Sequence, residues 1–197
     1  MKRIVFLMVS FILMTPYINA QEKKKFAVRT VAFYNVENLF DTINDPHKFD
    51  DDRTPEGADR WTSKVYNDHV HKIAKVISEI GSDVTKHAPD IVGLAEIENE
   101  AVVRDLINTE YLKKYNYGIV HYESPDARGV DVALIYKKSV FKPTASFPHP
   151  LYLTKDDGKP LYTRDQLLVS GELDGEMIHF IVNHWPSRFG GEAKSRP

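Results

Sequence analysis

The chain has 197 residues, a formal net charge of −2 at neutral pH and no cysteine. The lack of cysteine excludes disulfides, thiolate metal sites and a lipid-modified N-terminal cysteine. The mildly acidic balance excludes a protein held to nucleic acid by a broad basic face alone, so a phosphate substrate would have to be met locally, by a metal or a few arginines.

The first twenty residues have the layout of a secretory signal peptide. Two basic residues precede an apolar run over 4–14, and Ile18-Asn19-Ala20 is an imperfect small-residue cleavage site. The run is shorter than the roughly 20 residues that a membrane span needs. We therefore expect residues 1–20 to be a signal peptide and residues 21–197 to be secreted or periplasmic, without stable membrane insertion. An uncleaved N-terminal anchor is the alternative.

The next part of the chain alternates between predicted strands and helices. Phe26–Asn35 is a predicted strand, and 41–60 is a polar loop rich in Asp, Pro and Thr. Apolar residues at helical spacing predict a helix over Thr62–Ile80, which Gly81 ends. The continuous apolar run Ile91–Ala95 is typical of a strand that is buried on both faces.

A second helix is followed by strands alone. Ala101–Leu112 is the predicted helix, and Tyr117–Tyr122 and Val130–Tyr136 are strands on either side of a turn at Ser124–Gly129. Two Asp-Gly pairs further along indicate more hairpins. The sequence has no repeat, low-complexity segment or interdomain linker. This order predicts one α/β domain with a mixed sheet of largely antiparallel character.

Polar side chains stand at the ends of three predicted strands. Asn35 ends the first, Glu96 follows the second, and Asn183-His184 ends the last. Such groups can converge on one rim of an α/β domain, where sites are usually built. A carboxylate with amide oxygens suits a hard divalent cation such as Mg²⁺, and a histidine and an arginine beside it suit a phosphate. The ordinary alternatives are a loop carboxylate at Glu96, a turn asparagine at Asn35 and a structural histidine at His184.

Two other features have competing interpretations. Arg164 opens a predicted strand and either braces the site or forms a surface ion pair. Trp61 and Trp185 are interpreted as packing anchors rather than base-stacking platforms, because no run of exposed aromatic residues accompanies them.

Four segments of the sequence, taken in order along the chain, carry a resemblance to a known family. They are FYNVENLFD from Phe33, PDIVGLAEIEN from Pro89, SPDARGVDVALIY from Ser124 and VNHWPSRFGG from Val182. Together they resemble the successive motifs of the endonuclease/exonuclease/phosphatase superfamily, especially its secreted bacterial nuclease-like members. The resemblance implies a four-layer α/β sandwich, with two packed mixed β-sheets flanked by helices. It also implies phosphoester hydrolysis that depends on Mg²⁺, with Mn²⁺ or Ca²⁺ as alternative ions.

The resemblance also assigns roles to individual residues. Glu96 matches the glutamate that binds the catalytic metal, and Asn35 matches the asparagine that helps to position the metal or the phosphate. His184 matches a histidine or tyrosine that contacts the scissile phosphate, so these three residues form the expected catalytic set. The residues expected to bind substrate are Arg128, Asp131, Asn183 and Arg188.

Two further motifs of the superfamily do not occur in this sequence: Gly-Asp-x-Asn, which orients the attacking water, and Ser-Asp-His. The chain therefore resembles the N-terminal part of a longer domain, and 21–197 is expected to be incomplete at its C-terminus. We expect the parent protein to be a secreted metal-dependent phosphodiester hydrolase, with an endonuclease acting on nucleic acid favoured. The alternatives are an inactive fragment or degenerate domain that only binds phosphorylated ligands, and a phosphatase or lipid phosphodiesterase. No obligate protein partner is indicated.

Overall fold

Residues 27–155 and 157–186 are described by a computed structural model of the chain. The predicted signal peptide and Arg188 lie outside these residues. Helices and strands alternate at first, and the later elements are all strands, as the sequence predicts.

The first sheet has four strands, in the order β1 (Val31–Leu39), β2 (Ile91–Ile97), β4 (Asp131–Lys137) and β3 (Tyr117–His121). β1 runs parallel to β2. β4 is antiparallel both to β2 and to β3. Every residue of β2 except Glu96 is fully buried, in agreement with its continuous apolar run.

β1 differs in extent from the predicted strand Phe26–Asn35. It begins at Val31 because its ladder with β2 starts there, opposite Ile91. It continues past Asn35 to Leu39 through an irregularity in the register. Tertiary pairing, which local propensity does not report, sets both ends.

Two helices cover one face of the first sheet. α1 (Ser63–Glu79) and α3 (Glu100–Ile107) are capped at their N-termini by Thr62 and Asn99, whose side chains accept hydrogen bonds from backbone amides of the first turn. Because these caps satisfy donors that have no partner within the helix, they fix where each helix begins.

The second helix is shorter than the predicted Ala101–Leu112. It ends at Ile107, and the Thr109 hydroxyl then donates to the carbonyl of Leu106 at 2.9 Å. Threonine favours such local backbone bonds over continued helix, so the chain turns here. The short helical elements are α2 (Ser82–Thr85) and two 3₁₀ turns, Asp51–Arg53 and Lys113–Tyr115.

The second sheet is antiparallel throughout. β5 (Phe141–His149) pairs with β8 (Gln166–Leu173), which pairs with β9 (Glu176–Val182). A separate two-stranded hairpin joins β6 (Leu153–Thr154) to β7 (Pro160–Leu161) between β5 and β8.

Two apolar cores hold these layers together. One lies between the helices and the first sheet and includes Val70, Ile77, Leu106 and Ile97. The other lies between the two sheets. Its members from the first sheet are Ile91, Ala95, Val132 and Leu134, and those from the second sheet or its start are Phe141, Leu167, Val169 and Val182.

The chain is therefore an α/β sandwich with two packed sheets, and the predicted fold class is confirmed. The described residues supply three layers: helices, first sheet and second sheet. Within residues 27–155 and 157–186, no helix follows β4 in the sequence. This part of the chain therefore provides no helical layer for the second sheet. Among the same residues, no helix is long and apolar enough to cross a membrane.

Candidate active site

Glu96 lies in a β-bulge near the end of β2. Ala95 is opposite Val132 on β4 and Ile97 is opposite Asp131, so Glu96 is the extra residue between the two pairs. Its φ is +65°, in the left-handed region that a residue with a Cβ rarely adopts and that costs roughly 1–3 kcal/mol. A bulge re-aims a side chain out of the regular alternation, and here the Glu96 carboxylate leaves the core while both its neighbours stay buried.

β9 carries His184 to this carboxylate. A Cβ on Gly93 of β2 would lie 3.2 Å from both methyl groups of Val182, so the missing side chain lets the two sheets approach closely at this point. Two residues after Val182, Nε2 of His184 lies 3.4 Å from Oε1 of Glu96. Both side chains are mostly buried, with 19% and 15% of their surface exposed.

The environment of His184 favours its neutral form. Burial lowers the pKa of the imidazole, and the positive charges of Arg164 and Arg128 lower it further, against the opposing effect of Glu96 and Asp126. Its Nδ1 is buried and makes no hydrogen bond within the described part of the chain. In this favoured neutral form, the ring beside the carboxylate can donate from one nitrogen and accept with the other.

Glu96 and His184 open into a cleft of about 430 Å³. Arg128, which is half exposed, and the half-exposed Trp185 also face it. The expectation that Trp185 is a packing anchor is wrong, because 47% of its surface is exposed, whereas Trp61 is buried and donates to the carbonyl of Phe40. The other lining residues are Asp126, Ala127, Leu161, Tyr162, Thr163, Arg164 and Pro186.

The loop that carries Arg128 is fixed by Asp126. Oδ1 of Asp126 accepts from the Arg128 amide at 3.0 Å, and its carbonyl accepts from the amide of Gly129 at 3.0 Å. Lys48 also donates to the carbonyls of Asp126 and Ser124. These bonds hold the backbone of the loop, and the guanidinium of Arg128, whose Nε lies 3.6 Å from Oδ1 of Asp126, faces the cleft.

Asn35 and Asn183 lie near the two central residues, but neither lines the 430 Å³ cleft. Asn35 pairs with Ala95, the residue before Glu96, and its exposed side-chain oxygen accepts from the amide of Glu37 at 2.9 Å. Asn183 is half buried, with an Oδ1 that makes no hydrogen bond to the described residues. Both residues carry an amide oxygen that could bind a metal ion at the expected rim. Arg188 lies outside the described residues.

Asp131, predicted to bind substrate, is buried and does not line the cleft. Its Oδ1 accepts from the amide of Ser124 at 3.0 Å and from the Ser124 hydroxyl, and its Oδ2 lies 3.2 Å from Nε2 of His121. The carboxylate therefore stabilises the start of the Arg128 loop. The ligand atoms of Asp131, His121 and Glu123 lie within 4.8 Å of one another, which makes them a second group of potential metal ligands on this edge of the sheet.

A smaller pocket of about 240 Å³ lies beside Glu98 on the same edge. Burial raises the pKa of Glu98 to about 8, and the negative charges of Asp41, Asp50 and Glu123 raise it further. The amide of Asp41 donates to Oε2 of Glu98 at 2.6 Å, which opposes this shift. Glu98 is thus a mostly buried carboxyl group at this pocket, and the strand-end pattern did not single it out.

The sequence singled out some residues of the cleft and left the role of others open. Glu96, His184 and Arg128 were candidates from the sequence, and the fold brings them together. Arg164 and Asp126 are both buried beneath the cleft and joined by an ion pair with 2.9 Å between Nη1 and Oδ2. The only sequence signal for Arg164 was its place at the start of a strand, and that signal also fitted a surface ion pair, which the burial excludes.

The chain is similar to one protein family and to several solved structures. A model of the endonuclease/exonuclease/phosphatase family matches residues 30–197. A search of curated proteins gave no match. One similar solved structure is D. rerio TDP2 complexed with single-strand DNA product, with 18% sequence identity over 81% of this chain and 46% of that chain and a TM-score of 0.44. A mannosyl-6-phosphatase from Bacteroides thetaiotaomicron has 17% identity over 78% of this chain and 50% of that chain, with a TM-score of 0.44. An endonuclease/exonuclease/phosphatase family protein from Leptotrichia buccalis has 14% identity over 82% of this chain and 55% of that chain, with a TM-score of 0.47. The chain spans about half the length of these structures.

Proposed function

This chain belongs to the endonuclease/exonuclease/phosphatase family, and from this premise we propose that its full-length protein is a divalent-cation-dependent phosphodiester hydrolase acting on nucleic acid. The observation that carries the proposal is the meeting of Glu96 and His184, at 3.4 Å, in an open cleft that Arg128 also faces. A carboxylate, an imidazole and a guanidinium in one cleft can bind a phosphate group and move a proton during its cleavage.

The oxygen donors at this rim fit a hard divalent cation. Glu96 offers a carboxylate that has no basic partner other than the pKa-lowered His184 within the described residues, and Asn35 offers an amide oxygen on the adjacent strand. These two residues would hold Mg²⁺, and Mn²⁺ has similar ligand preferences. A bound cation would stabilise the negative charge that develops on the phosphoryl oxygens.

The other residues would bind and orient the phosphate. Arg128 can form paired hydrogen bonds to two phosphate oxygens, a geometry that its planar guanidinium favours. In the tautomer with the proton on Nε2, His184 donates to a phosphate oxygen without adding a full positive charge. Because the cleft holds few positive charges, binding should rest on these local contacts rather than on a wide basic surface.

We also propose that the protein is exported, on the basis of the N-terminal sequence layout. Expression of the gene in its host, followed by N-terminal sequencing of the secreted or periplasmic protein, tests this. Mature protein that begins at Gln21 is the expected result. An intact N-terminus in the membrane fraction would contradict it.

A second function is favoured for the 197-residue chain by itself. Its sequence contains neither Gly-Asp-x-Asn nor Ser-Asp-His, so no group matches the residue that orients the attacking water. Residues that act as a unit in catalysis lose most of their effect when one is missing. We propose that this chain alone binds phosphorylated ligands through the cleft and cleaves them very slowly.

The experiment compares the complete protein of the reading frame with its Glu96→Gln variant. Plasmid DNA, RNA, an aryl phosphodiester and an aryl phosphomonoester are incubated with each protein, with Mg²⁺ or with a chelator. We expect cleavage of nucleic acid that requires both the cation and Glu96. Cleavage of the phosphomonoester alone would overturn the proposal in favour of a phosphatase, and hydrolysis that survives the chelator would overturn the role of the cation.

A further inference from the structure

The backbone that carries His184 is not held by the sheet. The ladder between β8 and β9 ends at the pair Leu167 and Val182, so the carbonyls that follow have no strand partner in that ladder. The side chain of Arg164, which comes just before β8, binds these carbonyls in place of a strand. Its Nε and Nη2 donate to the carbonyl of His184 at 3.2 and 2.9 Å, and its Nη2 donates to the carbonyl of Trp185 at 3.0 Å.

The same guanidinium reaches the opposite wall of the cleft. Nη1 of Arg164 donates to Oδ2 of Asp126 at 2.9 Å, and Oδ1 of Asp126 accepts from the amide of Arg128. Both members of the ion pair are buried, with 7% and 6% of their side chains exposed. One planar group thus connects the backbone of the imidazole-bearing segment to the backbone of the Arg128 loop.

These contacts use the shape of the guanidinium as well as its charge. Three of its nitrogens serve three acceptors in fixed directions, whereas a lysine ammonium at the end of a flexible stem cannot reproduce that fork. The bonds to two successive carbonyls fix the direction of the backbone at His184. A shift of that backbone would move Nε2 away from Glu96, and a misplacement of about 1 Å can cost about 10²-fold in rate.

We propose that Arg164 is a positioning residue, which sets the place of the His184 imidazole relative to Glu96 and Arg128 through the backbone that it binds. The reaction that it serves is the proposed hydrolysis, and in this respect the inference rests on the proposed function. The contacts themselves do not. Arg164 makes no contact with substrate in this role and is distinct from the residues that face the phosphate.

The chain offers a matched control on its surface. Arg29 binds the carboxylate of Asp174 through Nε at 2.8 Å and Nη2 at 2.7 Å. This pair is exposed, with 29% and 45% of the side chains accessible, and involves no backbone of the cleft. Arg29→Lys makes the same chemical change as Arg164→Lys at a site where only an ordinary surface ion pair is lost.

The experiment measures kcat and KM for the complete protein of the reading frame with Mg²⁺ and a nucleic-acid substrate, in the wild type and in Arg164→Lys, Asp126→Asn and Arg29→Lys. Imidazole resonances are recorded by NMR in the same proteins, with that of His184 assigned from its loss in His184→Ala. We expect Arg164→Lys to lower kcat by about 10- to 100-fold with KM changed by less than about 3-fold, and to shift or broaden the His184 resonance. Arg29→Lys should change neither.

The remaining outcomes of this experiment also support or overturn the positioning role of Arg164. Wild-type kcat and an unchanged His184 resonance in a folded Arg164→Lys protein would overturn the proposal. If that variant does not fold, Asp126→Asn, which keeps the shape of the pair, takes its place with the same criteria. If the wild type hydrolyses nothing, the proposed function fails. The resonance then decides the inference alone: a shift in Arg164→Lys but not in Arg29→Lys supports it, and no shift overturns it.

Discussion

Glu96 and His184 come from two different sheets, and only 3.4 Å separates Oε1 of one from Nε2 of the other. Glu96 belongs to β2 of the first sheet, and His184 follows β9 of the second. The candidate site therefore exists only while the two sheets are packed together. Substitutions in the apolar core between the sheets should therefore alter the distance between Glu96 and His184, as substitutions near the polar residues themselves would.

Replacement of Glu96 by glutamine should remove the proposed metal-dependent hydrolysis. An amide keeps the size of the side chain but not the negative charge that a divalent cation needs, so we expect kcat/KM to fall by at least about 10²–10³ in the complete protein. Circular dichroism and the thermal midpoint should stay close to those of the wild type. Near-normal turnover at limiting Mg²⁺ would remove Glu96 from the site.

Replacement of His184 by alanine should affect the transition state more than substrate binding. We expect kcat and kcat/KM to fall together by about 10²–10⁴, as for a group that stabilises or protonates the reacting phosphate. Steady-state kinetics over a range of substrate concentrations measures both constants. A loss of thermal stability with unchanged kinetics would show instead that His184 is a structural histidine.

Local signals in the sequence predicted the helices and strands, whereas the family resemblance implied how they are layered. Helical spacing identified α1, and a continuous apolar run identified the buried strand that ends near Glu96. The same run placed the carboxylate at a strand end. Its bulge and left-handed φ could not be predicted, because they follow from the register between β2 and β4, which depends on residues far apart in the chain.

The supporting contacts of the site were the least predictable part. Arg164 binds backbone carbonyls 20 and 21 residues away, and a carbonyl carries no residue-specific signal in the sequence. Asp131 was a candidate for substrate binding because it lies in a motif that also contains Arg128. Asp131 is buried because it lies opposite Ile97 in the ladder between β2 and β4. Its carboxylate there accepts a hydrogen bond from the amide of Ser124 instead of facing the cleft.

Substitution of Gly93 by alanine should weaken the packing of the two sheets. The added Cβ would lie 3.2 Å from both methyl groups of Val182 and 3.3 Å from the ring of Phe33. Overpacking of this kind costs about 1–3 kcal/mol, which urea denaturation can measure. Val182→Ala removes both methyl groups, so the double variant should lose less stability than the sum of the single variants. Strict additivity would show that the two residues do not clash.

The outer apolar residues should make the 197-residue chain associate. Among the described residues, β1 and β9 are edge strands, and Phe33, Met177 and Ile181 on them are more than half exposed. Exposed edges with apolar side chains favour pairing between chains. Light scattering after size exclusion should show association that rises with concentration, and Met177→Lys with Ile181→Lys should reduce it. A monomer at all concentrations in the wild type would contradict this expectation.

Glu98 should make the stability of the fold depend on pH. Its pKa is about 8 in the folded chain, against an ordinary value of 4.5, chiefly because of burial. The folded state therefore retains a proton that the unfolded state has already lost between these two pH values. The stabilisation from protonated Glu98 is fully present below pH 4.5 and is lost as the pH rises through about 8, with a slope of at most about 1.4 kcal/mol per pH unit.

Glu98→Gln tests this dependence, because the amide keeps an oxygen for the hydrogen bond from Asp41 but cannot ionise. Urea unfolding of both proteins at pH 5 and pH 9 should show that the variant gains stability relative to the wild type as the pH rises. Glu56→Gln, at an exposed position, is the control and should leave the difference between the two pH values unchanged. If the gain with pH is the same in both variants, the carboxylate of Glu98 ionises without cost in the folded chain and its pKa is not raised.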